Sequence, residues 1–259
     1  ADTIRDTAIA QPLIVSAGIA SAAALLDGVS AADSGIFGVA GHSVGEITAA
    51  AITGVLSNSD AMKFVTRRGN EMAAAAAIET TSMAAVVGGA EADVLERLAQ
   101  LGLEPANFNG GGQIVAAGSA EAIEQLKLEP PTASRVIALQ VAGAFHTRFM
   151  KPAVTGLQSF ADELSTSDPS LKLWTNATGK TVSSGDEFLK LMVNQVSSPV
   201  RWDLCMAEMV AAGVTALIEL SPAGTLVGLA KRSMPGVETV AVKTPENIDA
   251  ALSLINNHR

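Results

Sequence analysis

Gly41-His42-Ser43-Val44-Gly45 is a G-x-S-x-G pentapeptide set between an apolar run at residues 36–40 and a small-residue helical run at residues 46–55. The run before it reads as a buried strand. Strand, sharp turn and helix in that order lift a serine hydroxyl out of the backbone and commit this part of the chain to an α/β fold. The flanking glycines keep Cβ atoms out of the crowded turn. The new helix aims unpaired N–H groups at the point beside Ser43 where an oxyanion would form. Ser43 is therefore the first candidate for a covalent nucleophile.

The pattern changes further along the chain. Residues 11–27 read as a helix, and the cap cluster Ser57-Asn58-Ser59-Asp60 opens another that runs to about residue 78. From there the order is strand 83–87, helix 90–101, strand 103–108, strand 113–117, helix 120–126 and strand 134–139. That is βαββαβ, the ferredoxin-like order. Asn109-Gly110-Gly111-Gly112 makes the turn between its two middle strands. The expected architecture is a large α/β domain with a parallel sheet, from residues 1–80 and 142–259, carrying an inserted ferredoxin-like subdomain at 81–141. Strands at 171–175, 215–220 and 239–242 are expected to finish the large sheet, with helices at 147–164, 187–196, 201–212, after Pro222 and at 247–255.

A chain of 259 residues with 48% hydrophobic side chains has ample material for that core. Only 3% are aromatic and none is Tyr, so the core is expected to be Ala, Val, Leu, Ile and Met. No apolar stretch reads as long and pure enough to span a bilayer. Residues 12–26 come closest, but Ser and Gly interrupt them and no basic segment precedes them, which argues against a signal peptide. Cys205 is the only cysteine, so no internal disulfide forms, and a reducing, cytoplasmic compartment is expected. Within an apolar run it reads as an inert buried thiol. One Cys and three scattered His make no zinc cluster, so no metal is expected. A net charge of −9 argues against nucleic acid as a partner.

A serine hydroxyl needs a base within hydrogen-bond reach. Of the three histidines, His42 adjoins Ser43 and leaves the backbone in another direction, and His258 is penultimate. That leaves His146, where the chain re-enters the large domain. No Asp or Glu stands in an obvious loop motif to orient its imidazole. The segment at 194–202 ends a helix, and a main-chain carbonyl there could accept from the His146 N–H. In the helix from Asp60, Ala61, Val65 and Met72 share one stripe and Arg68 falls beside it, while Arg67 faces the opposite way, four residues before Glu71. Arg68 thus lies near the core. It either pairs with an internal carboxylate or clamps the carboxylate of a substrate.

Several further segments carry a resemblance. They are Thr7-Ala8-Ile9-Ala10-Gln11-Pro12, Gly41-His42-Ser43-Val44-Gly45-Glu46, Arg68-Gly69-Asn70-Glu71-Met72, Asn107-Phe108-Asn109 with Gln113-Ile114-Val115-Ala116-Ala117-Gly118, Gly143-Ala144-Phe145-His146, Thr175-Asn176-Ala177-Thr178-Gly179-Lys180, residues 195–202, and Ser221-Pro222-Ala223-Gly224 with Lys231-Arg232. In this order, over nearly the whole chain, they resemble the malonyl-CoA:acyl carrier protein transacylase family, within the acyltransferases of fatty acid and polyketide synthesis. G-x-S-x-G alone is weakly specific; the ensemble is highly specific.

The resemblance implies a hydrolase-like large domain with a ferredoxin-like insert. It implies Ser43 as nucleophile, His146 as base, Arg68 on the malonyl carboxylate, the Gln195 backbone carbonyl orienting His146, and Val44 N–H as an oxyanion donor. Gln11, His42, Met72, Asn107 and Phe145 fall at motif positions expected to line the substrate site. In related polyketide acyltransferases a Phe before the histidine goes with malonyl and a Ser with methylmalonyl. Implied with these are ping-pong transfer from malonyl-CoA to acyl carrier protein, a malonyl-serine intermediate, no cofactor, no membrane and a monomer. The family usually begins with a strand and a Gly-Gln-Gly loop that gives a second oxyanion donor. This chain starts downstream of it, so either the sequence is truncated or the oxyanion hole is incomplete; the natural protein is expected to be longer. Acyl carrier protein is acidic, so Lys63, Arg67, Arg148, Lys151, Lys231 and Arg232 are candidates for a local basic patch. Two other readings are a hydrolase using the same Ser43–His146 pair and a non-catalytic carrier-protein docking module.

Overall fold

The computed structural model describes residues 6–141 and 143–258. Ala142, where the second half of the large domain was expected to open, and the outermost residues of both expected domain spans lie outside them. The N-terminal helix α1 (Thr7–Leu26) is capped by the Asp6 carboxylate, which accepts from Ala8 N–H, and it continues through Pro12. Its buried residues, Thr7, Gln11, Val15, Gly18, Ala22 and Leu25, recur every three or four positions, the spacing of one helix face. That stripe packs against α2 (Gly45–Ile52) and α3 (Asn58–Ala76). The sequence reading underrated this helix. At 20 residues and mean hydropathy 1.8 it is long and apolar enough to cross a membrane by length and composition alone. The isolated Ser and Gly residues barely lower the average because Ala, Ile and Leu surround them.

Strand β1 (Gly38–Val39) is only two residues long, shorter than expected, and half-buried. Phe37 stands outside it, exposed, with the Lys172 ammonium 4.1 Å from its ring centroid. β1 pairs in parallel with β6 (Lys172–Trp174), which pairs in antiparallel with β7 (Thr181–Val182). Gly38 has to be glycine: a Cβ there would sit 2.4 Å from the Trp174 ring and 2.8 Å from Lys172 O.

β2 (Thr81–Gly88), α4 (Glu91–Gln100), β3 (Glu104–Gly110), β4 (Gln113–Ser119), α5 (Ala120–Leu128) and β5 (Ser134–Ala138) follow in the expected order, their ends shifted by a few residues. Their sheet runs β5-β2-β4-β3, all antiparallel neighbours. β8 (Val200–Arg201) joins in parallel along β3, so the later part of the chain is hydrogen-bonded to this sheet. Period-two alternation sorts the side chains. Ala84, Val86, Ile114 and Ala116 face Val94, Leu98, Ile123 and Leu126 of the two helices. Met83, Ala85, Val115 and Ala117 face the other way, onto Ala144 and Phe145. The second face thus supports the segment that carries His146.

The main core gathers Val15, Ile47, Phe64, Val65, Met72, Leu157 and Phe188 from α1, α2, α3, α6 (Lys151–Ala161) and α7 (Gly185–Gln195), with Leu56 from the turn between α2 and α3. The C-terminal strands do not finish one large sheet as expected. β9 (Ala216–Glu219) and β10 (Glu238–Ala241) pair in parallel with each other alone, next to α8 (Trp202–Ala211), α9 (Thr225–Ser233) and α10 (Ile248–Asn257). A cavity of about 650 Å³, lined by Val39, Trp174, Leu217, Leu220 and Leu226 among others, lies between β9 and β1. No strand among the described residues fills it, so the backbone ladder cannot continue across.

Phe64 has no exposed surface and sits at the centre of the main core. Phe64→Ala is expected to cost about 3–5 kcal/mol, seen as a lower denaturant midpoint with an unchanged slope.

Candidate active site

Ser43 sits at φ 51°, a left-handed conformation that a non-glycine residue adopts only when its surroundings enforce it. Gly41 admits the turn, because a Cβ there would lie 2.0–2.3 Å from backbone atoms of Gly45 and Glu46. The Asn176 side chain holds the turn from outside. Its Oδ1 accepts from Ser43 N–H at 2.7 Å, and its Nδ2 donates to Gly41 O at 2.7 Å. This amide meets the elbow as a neighbouring strand would, with a donor and an acceptor facing an acceptor and a donor. Gly45 and Glu46 N–H donate to His42 O and Ser43 O. No partner for Val44 N–H is found among the described residues.

His146 also has positive φ, 63°, and its N–H donates to Val196 O at 3.0 Å. The structure brings it to the serine: His146 Nε2 lies 2.8 Å from Ser43 Oγ. His146 Nδ1 lies 2.8 Å from Gln195 O. A carbonyl can only accept, so Nδ1 carries the proton and Nε2 presents its lone pair to the serine hydroxyl. Burial, then the nearby Arg68 guanidinium, hold His146 down at about 3. The resting imidazole is therefore neutral, in the tautomer a general base needs.

Arg68 is 2% exposed, as its helix face predicts. Among the described residues no internal carboxylate is in direct contact with it. Its guanidinium donates to Gln11 Oε1, to Gln195 Oε1 at 2.9 Å and, at 3.3 Å, to Ser43 Oγ. Gln11 is held in turn by Thr7 Oγ1 at 2.8 Å and by Met72 Sδ at 3.5 Å. A carboxylate does stand behind. Glu46, 1% exposed, accepts from Asn176 N–H at 2.6 Å and from Gln195 Nε2. Burial pushes Glu46 up to about 7 and Arg68 down to about 10.

The Gln195 side-chain amide also reaches Ser43 O and Asn176 Oδ1, each at 3.2 Å. One residue thus touches His146, Ser43, Arg68 and Glu46. Sequence reading missed Asn176 and the Gln195 side chain and gave Glu46 no role. Glu46 had a signal: it is a lone acid in a helix otherwise made of Gly, Ile, Thr and Ala, and a charge on such a helix needs partners.

His42 leaves the elbow away from Ser43, as expected. Its Nε2 lies 2.9 Å from Asn109 Oδ1, its ring meets Trp202 edge-on, and burial lowers its pKa. Asn109 thus joins Asn176 in contacting the elbow. Asn107 is buried in β3, paired with Val200. Phe145 is half-buried between the main core and the sheet face. Of the candidate basic patch, Lys63, Arg67 and Arg148 pair with Asp60, Glu71 and Glu104, while Lys151, Lys231 and Arg232 are exposed. Among the described residues no His, Cys, Asp and Glu cluster could hold a metal.

A neutral base sets a pH expectation. In Glu46→Gln, where the neighbouring buried acid cannot titrate, acylation of Ser43 by an uncharged activated ester such as p-nitrophenyl acetate should keep a constant second-order rate from pH 8 to pH 5. Folded His146 binds its proton far more weakly than a free imidazole, so the acid limb lies well below 6.5. An inflection near 6.5 would contradict the geometry.

Residues 1–245 match the family model for the acyl transferase domain. The chain is 49% identical over 253 residues, 98% of its own length and 83% of the relative's, to malonyl CoA-acyl carrier protein transacylase of Mycobacterium bovis. It superposes with TM-score 0.89 and 48% identity on the crystal structure of MCAT, the same transacylase, from Mycobacterium tuberculosis, covering 97% of this chain and 83% of that one. A structure of a type II PKS acyl-carrier protein in complex with its malonyl-transacylase is also similar, at TM-score 0.89 and 27% identity, over 97% and 82% of the two chains.

Proposed function

The chain belongs to the acyl transferase domain family, and we propose that Ser43, His146 and Arg68 carry the malonyl transfer for which its relatives are named. It transfers the malonyl group from malonyl-CoA to acyl carrier protein. The observation that carries the residue assignment is the chain of contacts Ser43 Oγ, His146 Nε2, His146 Nδ1 and Gln195 O, each link 2.8 Å, with Arg68 beside the serine.

In this reading His146 Nε2 takes the Ser43 proton as Oγ attacks the thioester carbonyl of malonyl-CoA. Val44 N–H meets the oxyanion. The C–S bond breaks, and the CoA sulfur leaves with the proton from His146. Malonyl-Ser43 then receives the phosphopantetheine thiol of the carrier protein, which gives its proton to His146 and attacks in turn. Collapse of the second intermediate returns the proton to Ser43. The kinetics are ping-pong, and every group comes from the chain, so the chemistry calls for no cofactor or metal.

Arg68 serves twice. Its guanidinium holds the malonyl carboxylate, and its charge is one cause of His146's low basicity. A malonyl carboxylate brings the counter-charge into direct contact with that guanidinium, so the base strengthens when the acid substrate is in place. Phe145 crowds an α-methyl branch, a preference of about 1–3 kcal/mol. Lys151, Lys231 and Arg232 offer the acidic carrier protein a local cationic surface. We read the span from β2 to β5 as the ferredoxin-like insert, supported by its strand order, and the remainder as the hydrolase-like domain. The protein acts in this reading as a cytoplasmic monomer.

Intact-mass spectrometry after mixing with malonyl-CoA tests the assignment. One malonyl group should remain on the wild type and none on Ser43→Ala. Rapid release of free malonate would favour a hydrolase, and binding without acylation a docking module. Arg68→Ala is expected to lower kcat/KM for malonyl-CoA by about 10²-fold or more while sparing acetyl-CoA. Intact malonyl transfer in that variant would remove Arg68 from the carboxylate site.

A further inference from the structure

Resting on the malonyl reading above, we propose that Glu46 is a positioning residue that tunes acid-substrate specificity: it is the resident counter-ion of Arg68, and it takes up one proton from the medium as the malonyl carboxylate arrives.

The geometry is a relay through one amide. Gln195 Oε1 accepts from Arg68 at 2.9 Å, and Gln195 Nε2 donates to the Glu46 carboxylate. The amide cannot turn round, because a guanidinium only donates and a carboxylate only accepts. Arg68 and Glu46 are both almost fully buried, and their attraction is felt at both ends. Without substrate, and above the free-enzyme value of Glu46, the pair is balanced, one positive charge against one negative.

A malonyl carboxylate on Arg68 breaks that balance. Two carboxylates would share one guanidinium that is itself almost fully buried. Like charges in such a site drive one of the pair to its neutral form. Glu46 is the one that yields, because burial already holds it at about 7, whereas the malonyl carboxylate gains direct contact with the cation. Protonated Glu46 keeps an oxygen for Asn176 N–H, and the Thr175 hydroxyl lies within its reach.

The other groups facing Glu46 do not titrate in this range. His146 stays neutral at about 3, and His42 is likewise lowered by burial. Cys205 on α8 is pushed up to about 12 and keeps its proton. Asp203, which also acts on Cys205, is bound to Arg201 at 2.7 Å. Arg68, at about 10, keeps its charge.

The sign follows from linkage. The malonyl-bound form holds one more proton than the free form, so malonyl binding weakens as pH rises above the free-enzyme value of Glu46. Acetyl-CoA has no carboxylate and shares every ionisation of the CoA moiety, so it is the internal control.

The test is KM for malonyl-CoA and acetyl-CoA between pH 7 and pH 8.5, on wild type and Glu46→Gln. The malonyl-to-acetyl KM ratio should rise about fivefold in the wild type, within a limit of about tenfold per pH unit for one proton. It should stay flat in Glu46→Gln. A residue with a merely structural role would change both substrates alike at every pH. Should Glu46→Gln fail to fold, calorimetry of malonyl-CoA binding to Ser43→Ala at pH 8, in two buffers of different ionisation enthalpy, replaces it. Uptake of a substantial fraction of one proton, absent with acetyl-CoA, supports the proposal. A flat wild-type ratio, an equal slope in folded Glu46→Gln, or no proton uptake overturns it. A protein that forms malonyl-Ser43 with a flat ratio loses this inference alone; one that never accepts malonyl loses the residue assignment beneath it as well.

Discussion

A carbonyl oxygen has no proton to give, so the 2.8 Å contact between Gln195 O and His146 Nδ1 decides which nitrogen of the imidazole faces the serine. The rest of the site follows from that acceptor. Nε2 is left with its lone pair 2.8 Å from Ser43 Oγ, and no buried carboxylate is needed to orient the ring. The contact exists because the last turn of α7 ends at Gln195 with carbonyls its own helix cannot satisfy. The segment through Ala144 and Phe145, braced on the sheet face, delivers His146 to it.

The site also keeps opposite charges buried without direct contact. Arg68 and Glu46 are separated by a single amide, and the same amide group touches the elbow backbone. Electrostatics and elbow geometry are therefore coupled through Gln195. An arrangement with Arg68 bound directly to Glu46 would leave the guanidinium less free to receive a substrate carboxylate. Spacing the two by one amide keeps the cation partnered and available.

What the sequence made legible was local. The elbow is five consecutive residues, and its strand and helix adjoin it. The inward face of Arg68 follows from helical periodicity within one element. The antiparallel sheet was readable because its period-two strands alternate with amphipathic helices. His146 came from elimination among three histidines, which works only in a chain so poor in them. The partners that act across the fold left no such trace. Asn176 lies 133 residues from the Ser43 amide it holds, and Gln195 lies 149 from Glu46. Asn109 meets His42 where the β3–β4 register shifts between residues 108 and 110, and no hydropathy pattern reports such a shift. The place of the gap, between β1 and β9, was not legible for a like reason, since each strand is apolar whether or not its edge is paired.

The central claim is a neutral imidazole protonated on Nδ1 and poised on Ser43, and ¹⁵N NMR of the His146 ring measures it directly. From pH 5 to pH 9 the spectrum should show an unchanging protonated Nδ1 and an unprotonated Nε2. A cationic ring at pH 5 to 6, or a proton resident on Nε2, would contradict the account.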